Sequence, residues 1–444
     1  MKKIGLGVLS ILAIATIYYF TSGSEQLTIQ MKEQVDAEFA SLQTQGFAVE
    51  GKIVSEKKEH FELSLNEPKK VATYLNAQGA QVSPEDIEIL KGFKIGIDIN
   101  YLSNAYSAAS FDMYPLALPT ALTSAVVDDE DKKALKQLEK MMEKKTFLVH
   151  VDVNKLGTGF KGYVKDINER IDADSKITLI MTALKFTGDI KDNKFSGIKQ
   201  TLKNFTIRSD DDEINMQINN LTSNYTITGS TKYDYRTDYL VEEILVTVKD
   251  EFKLRVANVS MDSNAKVTNN LAAVNAQTKV ESIHFTQGQK TSTLESLMFD
   301  MKAKNFDMQA LEKLETINPD NEKELLITFQ KLISHGIHFE IPNFSVQNVV
   351  YENQKLEGFK LSSSFDIDKT LDLTTLKQNP MAAIGAMDAN LHLTLSNQLL
   401  ELIAKQPQAM LVMMLFQPKD VNGQKVYKVE LKDGTLSVNG KKAM

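Results

Sequence analysis

Histidines and carboxylates are the residues of this chain best equipped for chemistry, and few of them stand close together. His335-Gly336-Ile337-His338 is the one close histidine pair, with Glu340 two residues further on. Imidazole and carboxylate are zinc-ligand types, but zinc sites set them on one helix face, or at short spacing with further ligands nearby. This pair straddles a predicted helix end and strand start, so the expectation is a helix-end histidine beside a surface one. His60, His150, His284 and His392 lie singly in alternating runs and are expected on the wet faces of strands. Asp210-Asp211-Asp212-Glu213 is a run of adjacent acids. A calcium loop needs spaced oxygens and a turning glycine, so a solvated turn is expected instead. Gly157-Thr158-Gly159-Phe160-Lys161-Gly162 has the letters of a dinucleotide loop, which works only between a strand and a helix of a parallel fold. No G-x-S-x-G elbow occurs, and the absence of Cys removes thiolate catalysis and thiolate metal sites. No catalytic, cofactor-binding or metal-ligating residue is assigned, no cofactor is expected, and the chain reads as a non-enzyme.

A different chemistry is offered by Met410-Leu411-Val412-Met413-Met414-Leu415-Phe416. Methionine is a flexible apolar surface, suited either to filling a core or to holding variable apolar partners. In the second reading Met410, Leu411, Met413, Met414 and Leu415 form a candidate apolar-ligand surface, joined by the Ala-rich stretch Met381 to Met387. Tyr114-Pro115-Leu116-Ala117-Leu118-Pro119 is expected as a loop over the same surface.

The elements that must position these groups are mostly strands. Phe93, Ile95, Ile97, Ile99 and Tyr101 alternate with other residues. So do Phe252, Leu254 and Val256; Leu297, Phe299 and Met301; and Leu391, Leu393 and Leu395. Strict alternation gives each strand one apolar and one wet face, the mark of antiparallel sheet. Asp433-Gly434 between two alternating runs predicts a hairpin turn. Helices are predicted at about Glu25 to Gln43, Pro68 to Ala77, Pro84 to Leu90, Asp128 to Lys145, Asp307 to Ile317, Glu322 to Ser334 and from Asn397. Acids open the Asp128 helix and lysines close it, as the helix dipole favours. A strand-turn-strand unit with a central glycine recurs near Gly197, Gly229, Gly288 and Gly358, at irregular spacing. The fold class is α+β and mostly antiparallel, with long curved or twisted sheets, packed helices and one preceding transmembrane helix.

That helix is expected over the uncharged run Ile4 to Phe20, after Lys2 and Lys3. At 1.5 Å per residue it spans roughly 26 Å, the short end of a bilayer crossing. Tyr18, Tyr19 and Phe20 read as a membrane-interface belt, against cleavage after Ala15 or near Ser22-Gly23-Ser24. By the positive-inside rule the lysines stay cytoplasmic and the rest is exported. The expected organisation is a cytoplasmic tip and signal anchor over 1–24, an amphipathic stalk helix over 25–44, a β-rich region over 45–306, and a helix pair with a second β-rich region over 307–444. A net charge of −7 over 444 residues argues against nucleic acid as a partner. The N-x-S/T triplets at Asn204, Asn220, Asn224, Asn258 and Asn343 are expected to be incidental in so Asn- and Thr-rich a β chain.

The N-terminal span, the long β-rich chain, the leucine-rich helix ending in His335-Gly336, and the close Asp433-Gly434-Thr435-Leu436-Ser437-Val438-Asn439-Gly440-Lys441 resemble the YdgA-like family of bacterial inner-membrane-anchored proteins of unknown function. That family is in turn similar to AsmA-like proteins, several of them linked to lipid traffic. The likeness carries no site residues. It implies a single-pass inner-membrane protein with its bulk in the periplasm. Two functions are open: binding a lipid or other apolar ligand in a sheet groove, or scaffolding envelope proteins through sheet edges.

Overall fold

The computed structural model describes residues 29–77, 82, 84–102, 106–124, 129–172, 176–191, 194–231, 233–249, 251–317, 321–374, 384–405 and 416–442. The run Ile4 to Phe20 with its Tyr18, Tyr19 and Phe20, and the candidate surface Met410, Leu411, Met413, Met414 and Leu415, lie outside these residues. Among the described residues no helix is long and apolar enough to cross a membrane. The chain divides into two compact units between Thr226 and Ile227, so the helix pair after Asp307 lies within the second.

In the first unit the alternating runs form an antiparallel meander. Its strands are β1 (Phe47–Val54), β2 (Lys58–Leu65), β3 (Lys94–Tyr101), β4 (Ser107–Ala117), β5 (Val149–Asn154) and β6 (Gly159–Val164). β6 pairs with β9 (Lys185–Lys191), and β9 with β10 (Lys194–Ser209). The hairpin β7 (Ile167–Asp172) and β8 (Lys176–Thr182) continues the same edge of β10, whose other edge takes β11 (Ile214–Ile227). The predicted helices appear within a few residues of expectation as α1 (Ile29–Thr44), α2 (Pro68–Ala77), α3 (Pro84–Ile89) and, after the short α4 (Thr120–Ser124), α5 (Asp129–Glu143). Phe61, Leu63, Ile97, Ile99, Phe111 and Val151 point to one side of the sheet and are buried there with Val35 and Phe39 of α1, Val71 and Leu75 of α2, and Ile87 of α3. The Phe39 and Phe61 rings lie 3.9 Å apart. Gly46, at φ +94°, reverses the chain between α1 and β1; any Cβ there would also press on Glu67 and Lys70.

One expectation is overturned here. Tyr114 to Ala117 is not a loop but the end of β4, paired with β3. Pro115 is tolerated because it lies beyond Met113, where pairing with β5 has ended, and beside a register shift on the β3 side.

The second unit is a longer-stranded meander of β12 (Tyr235–Val248), β13 (Phe252–Thr268), β14 (Leu271–Gln287), β15 (Lys290–Asp307), β16 (Ile337–Tyr351), β17 (Gln354–Ile367) and β18 (Met387–Ser396). β20 (Gln424–Lys432) follows β18, and its far edge holds β19 (Lys419–Val421) and β21 (Thr435–Val438), the latter paired with β22 (Lys441–Lys442). Helices α6 (Met308–Thr316) and α7 (Glu322–Ile333) are N-capped by Asp307 and Asn321, and α8 (Asn397–Ala404) by Ser396. The Asp433-Gly434 turn forms as expected, both residues at positive φ. Asn269-Asn270 and Glu352-Asn353 make turns of the same kind.

A regular break crosses this sheet. The β12–β13 ladder omits the pair Glu242–Asn258, although the register on both sides is unshifted. The same gap recurs at Asn258–Glu281, Glu281–Ser296, Ser296–Gln347 and Gln347–Gly358. Asn258 and Ser296 are left-handed there, at φ 49° and 54°. A left-handed residue turns the strand over, and the apolar pattern changes parity to match: Phe252, Leu254 and Val256 are followed by Val259 and Met261. The apolar residues thus stay on one side along the whole strand. Within the first unit β10 and β11 omit Lys203–Asn220 in the same way, with Asn220 at φ 50°. Asn220, Asn258 and Ser296 are evenly spaced at 38 residues. Two of the N-x-S/T asparagines are therefore accounted for by backbone geometry, since Asn adopts the left-handed region more readily than most residues.

This break predicts a pair of outcomes. Ser296→Gly is tolerated, whereas Ser296→Val, β-branched and left-handed, destabilises by about 1–2 kcal/mol in urea unfolding. Gly358→Ala is worse than either, because its Cβ would meet the Val346 carbonyl oxygen at 1.9 Å.

Candidate functional site

The sequence motifs do not converge. His335 lies 3.7 Å from Asp307, His338 Nδ1 is 2.6 Å from Asp366, and Glu340 faces Lys302 at 3.5 Å. Each group thus has its own partner. Among the described residues no cluster of three His, Asp or Glu side chains could hold a metal. Asp210 to Glu213 is the expected turn, between β10 and β11, with Arg208 and Arg170 on Asp210 and Lys176 near Asp211. Gly157 to Gly162 is the turn from β5 into β6 and part of β6 itself, so it lacks the helix a dinucleotide loop needs.

His60 and His150 do lie on the face away from the core, but they are not alone. Register places His60 opposite Asp98, Asp98 opposite Asp112, Asp112 opposite His150 and His150 opposite Tyr163. Both imidazoles reach their carboxylate through Nδ1, at 2.6 Å. Lys145, left-handed just after α5, donates to Asp98 at 2.8 Å and lies 3.6 Å from the centre of the Tyr114 ring. Asp152 sits 3.5 Å from His150, whose ring stacks on Tyr163. The bond with Asp112 raises His150 above the ordinary imidazole range, against the opposing effect of burial. Burial pushes Asp98 up, but hydrogen bonds from Lys145, His60 and Tyr114 outweigh it and hold the carboxyl below its usual range. Two adjacent carboxylates on neighbouring strands would repel; here each is neutralised by its own cation or imidazole. A histidine held by a carboxylate is a general-base arrangement, but this row adds carboxylates, ammonium groups and phenols rather than an activated nucleophile. Sequence spacing gave no sign of it, because the partners are 38 residues apart in both His–Asp pairs and meet only through strand register.

The other extended surface is apolar and belongs to the second unit. Val241, Val259, Val280, Leu297, Val346, Phe359 and Leu395 form a row across seven strands. Beside it run Tyr239, Met261, Thr278, Phe299, Phe344, Leu361 and Leu393. On the far side of the break lie Ile244, Val256, Ile283, Leu294, Val349 and Leu356. The Phe299, Phe344 and Phe359 rings interlock edge to face, with centroids 5.8 and 5.1 Å apart. At one end Leu399 and Leu400 of α8 seal Leu395 and Tyr427, with Phe359, Leu393, Val349 and Phe416 packed around them. The described helices of this unit pack on β15, β17, β18 and β20. Toward β12 to β14 the rows are mostly half-buried, including Ile244, Val256, Met261 and Ile283, and Tyr239 is exposed. The sequence showed these alternating residues but not that they align into rows, which depends on the left-handed residues.

The polar row has a definite pH signature. A raised His150 contributes stability fully below about pH 6.5, the ordinary imidazole value, and loses it as pH rises through the folded value. A lowered Asp98 contributes above about pH 3.9 and loses it as pH falls through the folded value. His150→Asn should therefore cost about 1 kcal/mol at pH 5.5 and markedly less at pH 9, read from denaturant midpoints at both values.

No curated protein and no solved structure matches the chain. The family described as "Bacterial protein of unknown function (DUF945)" matches residues 114–443, which takes in most of the first unit's sheet and all of the apolar rows. On that match the chain belongs to the bacterial family of unknown function DUF945.

Proposed function

We propose that this is a non-enzymatic, membrane-anchored protein exported to the bacterial periplasm, and that the second unit's sheet binds a lipid or similar apolar ligand along its open face. The observation that carries this reading is the set of apolar rows, which from β12 to β14 includes the half-buried Ile244, Val256, Val259, Met261 and Ile283 and the exposed Tyr239, beside the buried Val241 and Val280. A water-soluble domain rarely leaves so extended an apolar surface without a partner. The anchor is supported by the uncharged run Ile4 to Phe20 behind two lysines. The likeness to YdgA-like and, more distantly, AsmA-like proteins agrees with both parts. Membership of a family without an assigned activity neither adds nor removes an enzymatic role, and in the polar row of the first unit His60 and His150 bond through Nδ1 to Asp98 and Asp112.

A second reading has its own observation. β1 pairs with β2 on one side, and its outer half from Glu50 to Val54 is exposed. Such an edge could take a partner's strand, which is the scaffold reading.

The test is lipid mass spectrometry on mildly solubilised full-length protein, against a control that keeps the anchor but replaces the residues after Gln43. Enrichment of phospholipid or fatty acid over the control is expected. Met261→Asp combined with Phe344→Asp should abolish most of that enrichment while the far-ultraviolet spectrum stays that of the β fold. A purified chain no richer in lipid than the control would overturn the groove and leave the edge-pairing scaffold.

A further inference from the structure

The first unit carries its most exposed large apolar side chains at one end. Register fixes which loops share it. Lys58 of β2 lies opposite Asn100 near the end of β3, so the β1–β2 turn and the β3–β4 loop are neighbours, tied by the Tyr101 N–H bond to the Lys57 carbonyl. Ser107 of β4 lies opposite Asn154 of β5, so the β5–β6 turn is beside them, tied by the Lys155 N–H bond to the Tyr106 carbonyl. Large apolar side chains stand out at this end: Ile53 is 68% exposed, Val54 52%, Tyr106 70% and Leu156 71%. Lysines surround them. Lys57 and Lys58 sit in or next to the first turn, Lys155 is beside Leu156, Lys161 lies 5.0 Å from the Tyr106 ring, and Lys191 closes the neighbouring β9. Glu56 is the acid within the turn.

The N-terminal chain leaves from the same end. α1 and β1 are joined by Gln45 and Gly46 alone, so they run in opposite directions. Only two residues separate the end of α1 from Phe47, and about two turns earlier Asp36 pairs with Lys52, so moving backward along α1 is moving toward the β1–β2 turn. From Asp36 back to Ile29 the helix advances about another 10 Å. Only residues 21–28 then separate α1 from the apolar run that ends at Phe20. Eight residues reach at most about 28 Å when fully extended.

We propose that this end of the first unit is a membrane-docking face, with Ile53, Val54, Tyr106 and Leu156 entering the bilayer interface and the lysines facing anionic headgroups. The idea rests on the anchor reading above, which places a bilayer within reach of these loops. Scattered apolar side chains are ordinary on a surface; four at the strand ends and turns of one end, with lysines beside them and next to the tether, match an interfacial anchor. A lipid surface is the occupant favoured over a protein groove because the N-terminal tether leaves from this end and lysines stand beside the exposed groups.

The chain has no Cys, so single labels can be placed cleanly. Full-length Leu156→Cys, Tyr106→Cys and Lys69→Cys, the last an exposed position of α2 at the opposite end, would carry an environment-sensitive fluorophore. Each is reconstituted in vesicles of phosphatidylcholine and phosphatidylglycerol in equal parts, with and without nitroxide-labelled lipid. Expected is strong nitroxide quenching and a blue shift at 106 and 156, with neither at 69, and loss of part of the quenching in phosphatidylcholine alone. A chain that floats with the vesicles but is unquenched at 106 and 156 overturns the docking face while the anchor stands. Equal quenching at 69 overturns it too, by removing any preferred face. A chain that does not float removes the anchor reading and the docking face together.

Discussion

Antiparallel main-chain pairing in fixed register is the constraint on which the rest of this structure depends. Side chains alternate along a strand, so a one-residue slip would carry every apolar residue to the wrong side. Strands of up to 18 residues, as in β15, are long enough for that error to be costly. The left-handed residues at Asn220, Asn258 and Ser296 meet the difficulty in an unusual way. They reverse the alternation once in mid-strand, opposite a residue whose ladder pair is omitted. The apolar pattern reverses at the same place, and the register is kept on both sides.

Each unit uses its strands differently. In the first, the apolar side is closed by α1, α2 and α3, whose Val35, Phe39, Val71, Leu75 and Ile87 complete a buried core. The outward side is organised instead by charge, with His60, Asp98, Asp112 and His150 lined up by register and steadied by Lys145. In the second unit α8 closes the apolar side only where Leu399 and Leu400 reach it. One pattern of residues thus gives a stable core where helices supply the second layer, and an open apolar surface where the described chain does not.

Much of the fold is legible in the sequence. Strict alternation identified the strands, Pro68 and Pro84 marked helix starts, and Asp433-Gly434 announced its turn because both positions tolerate positive φ. The Asn269-Asn270 and Glu352-Asn353 turns carried a weaker signal, since Glu is a poor guide to a left-handed position. Tyr114 to Ala117 misled because proline reads as loop, while here the ladder had already ended on the side where its missing N–H would count. The polar row was invisible for a different reason: alternation tells which face a histidine takes but not what stands opposite. The 38-residue recurrence has no distinctive letter in the sequence, because the recurring residue is Asn or Ser in a left-handed conformation rather than Gly.

That recurrence bears on how such a chain changes length. From Asn258 to Ser296 the interval spans half of β13, all of β14 and half of β15, the length of two strands with two turns, and it begins and ends on a left-handed residue. A whole interval could be gained or lost, and the strands on either side would still meet with matching faces, whereas an insertion of any other length within a strand would set them out of phase. The sheet is thus modular in a unit of two strands, and lineages that lengthen or shorten it should do so by hairpins rather than by residues.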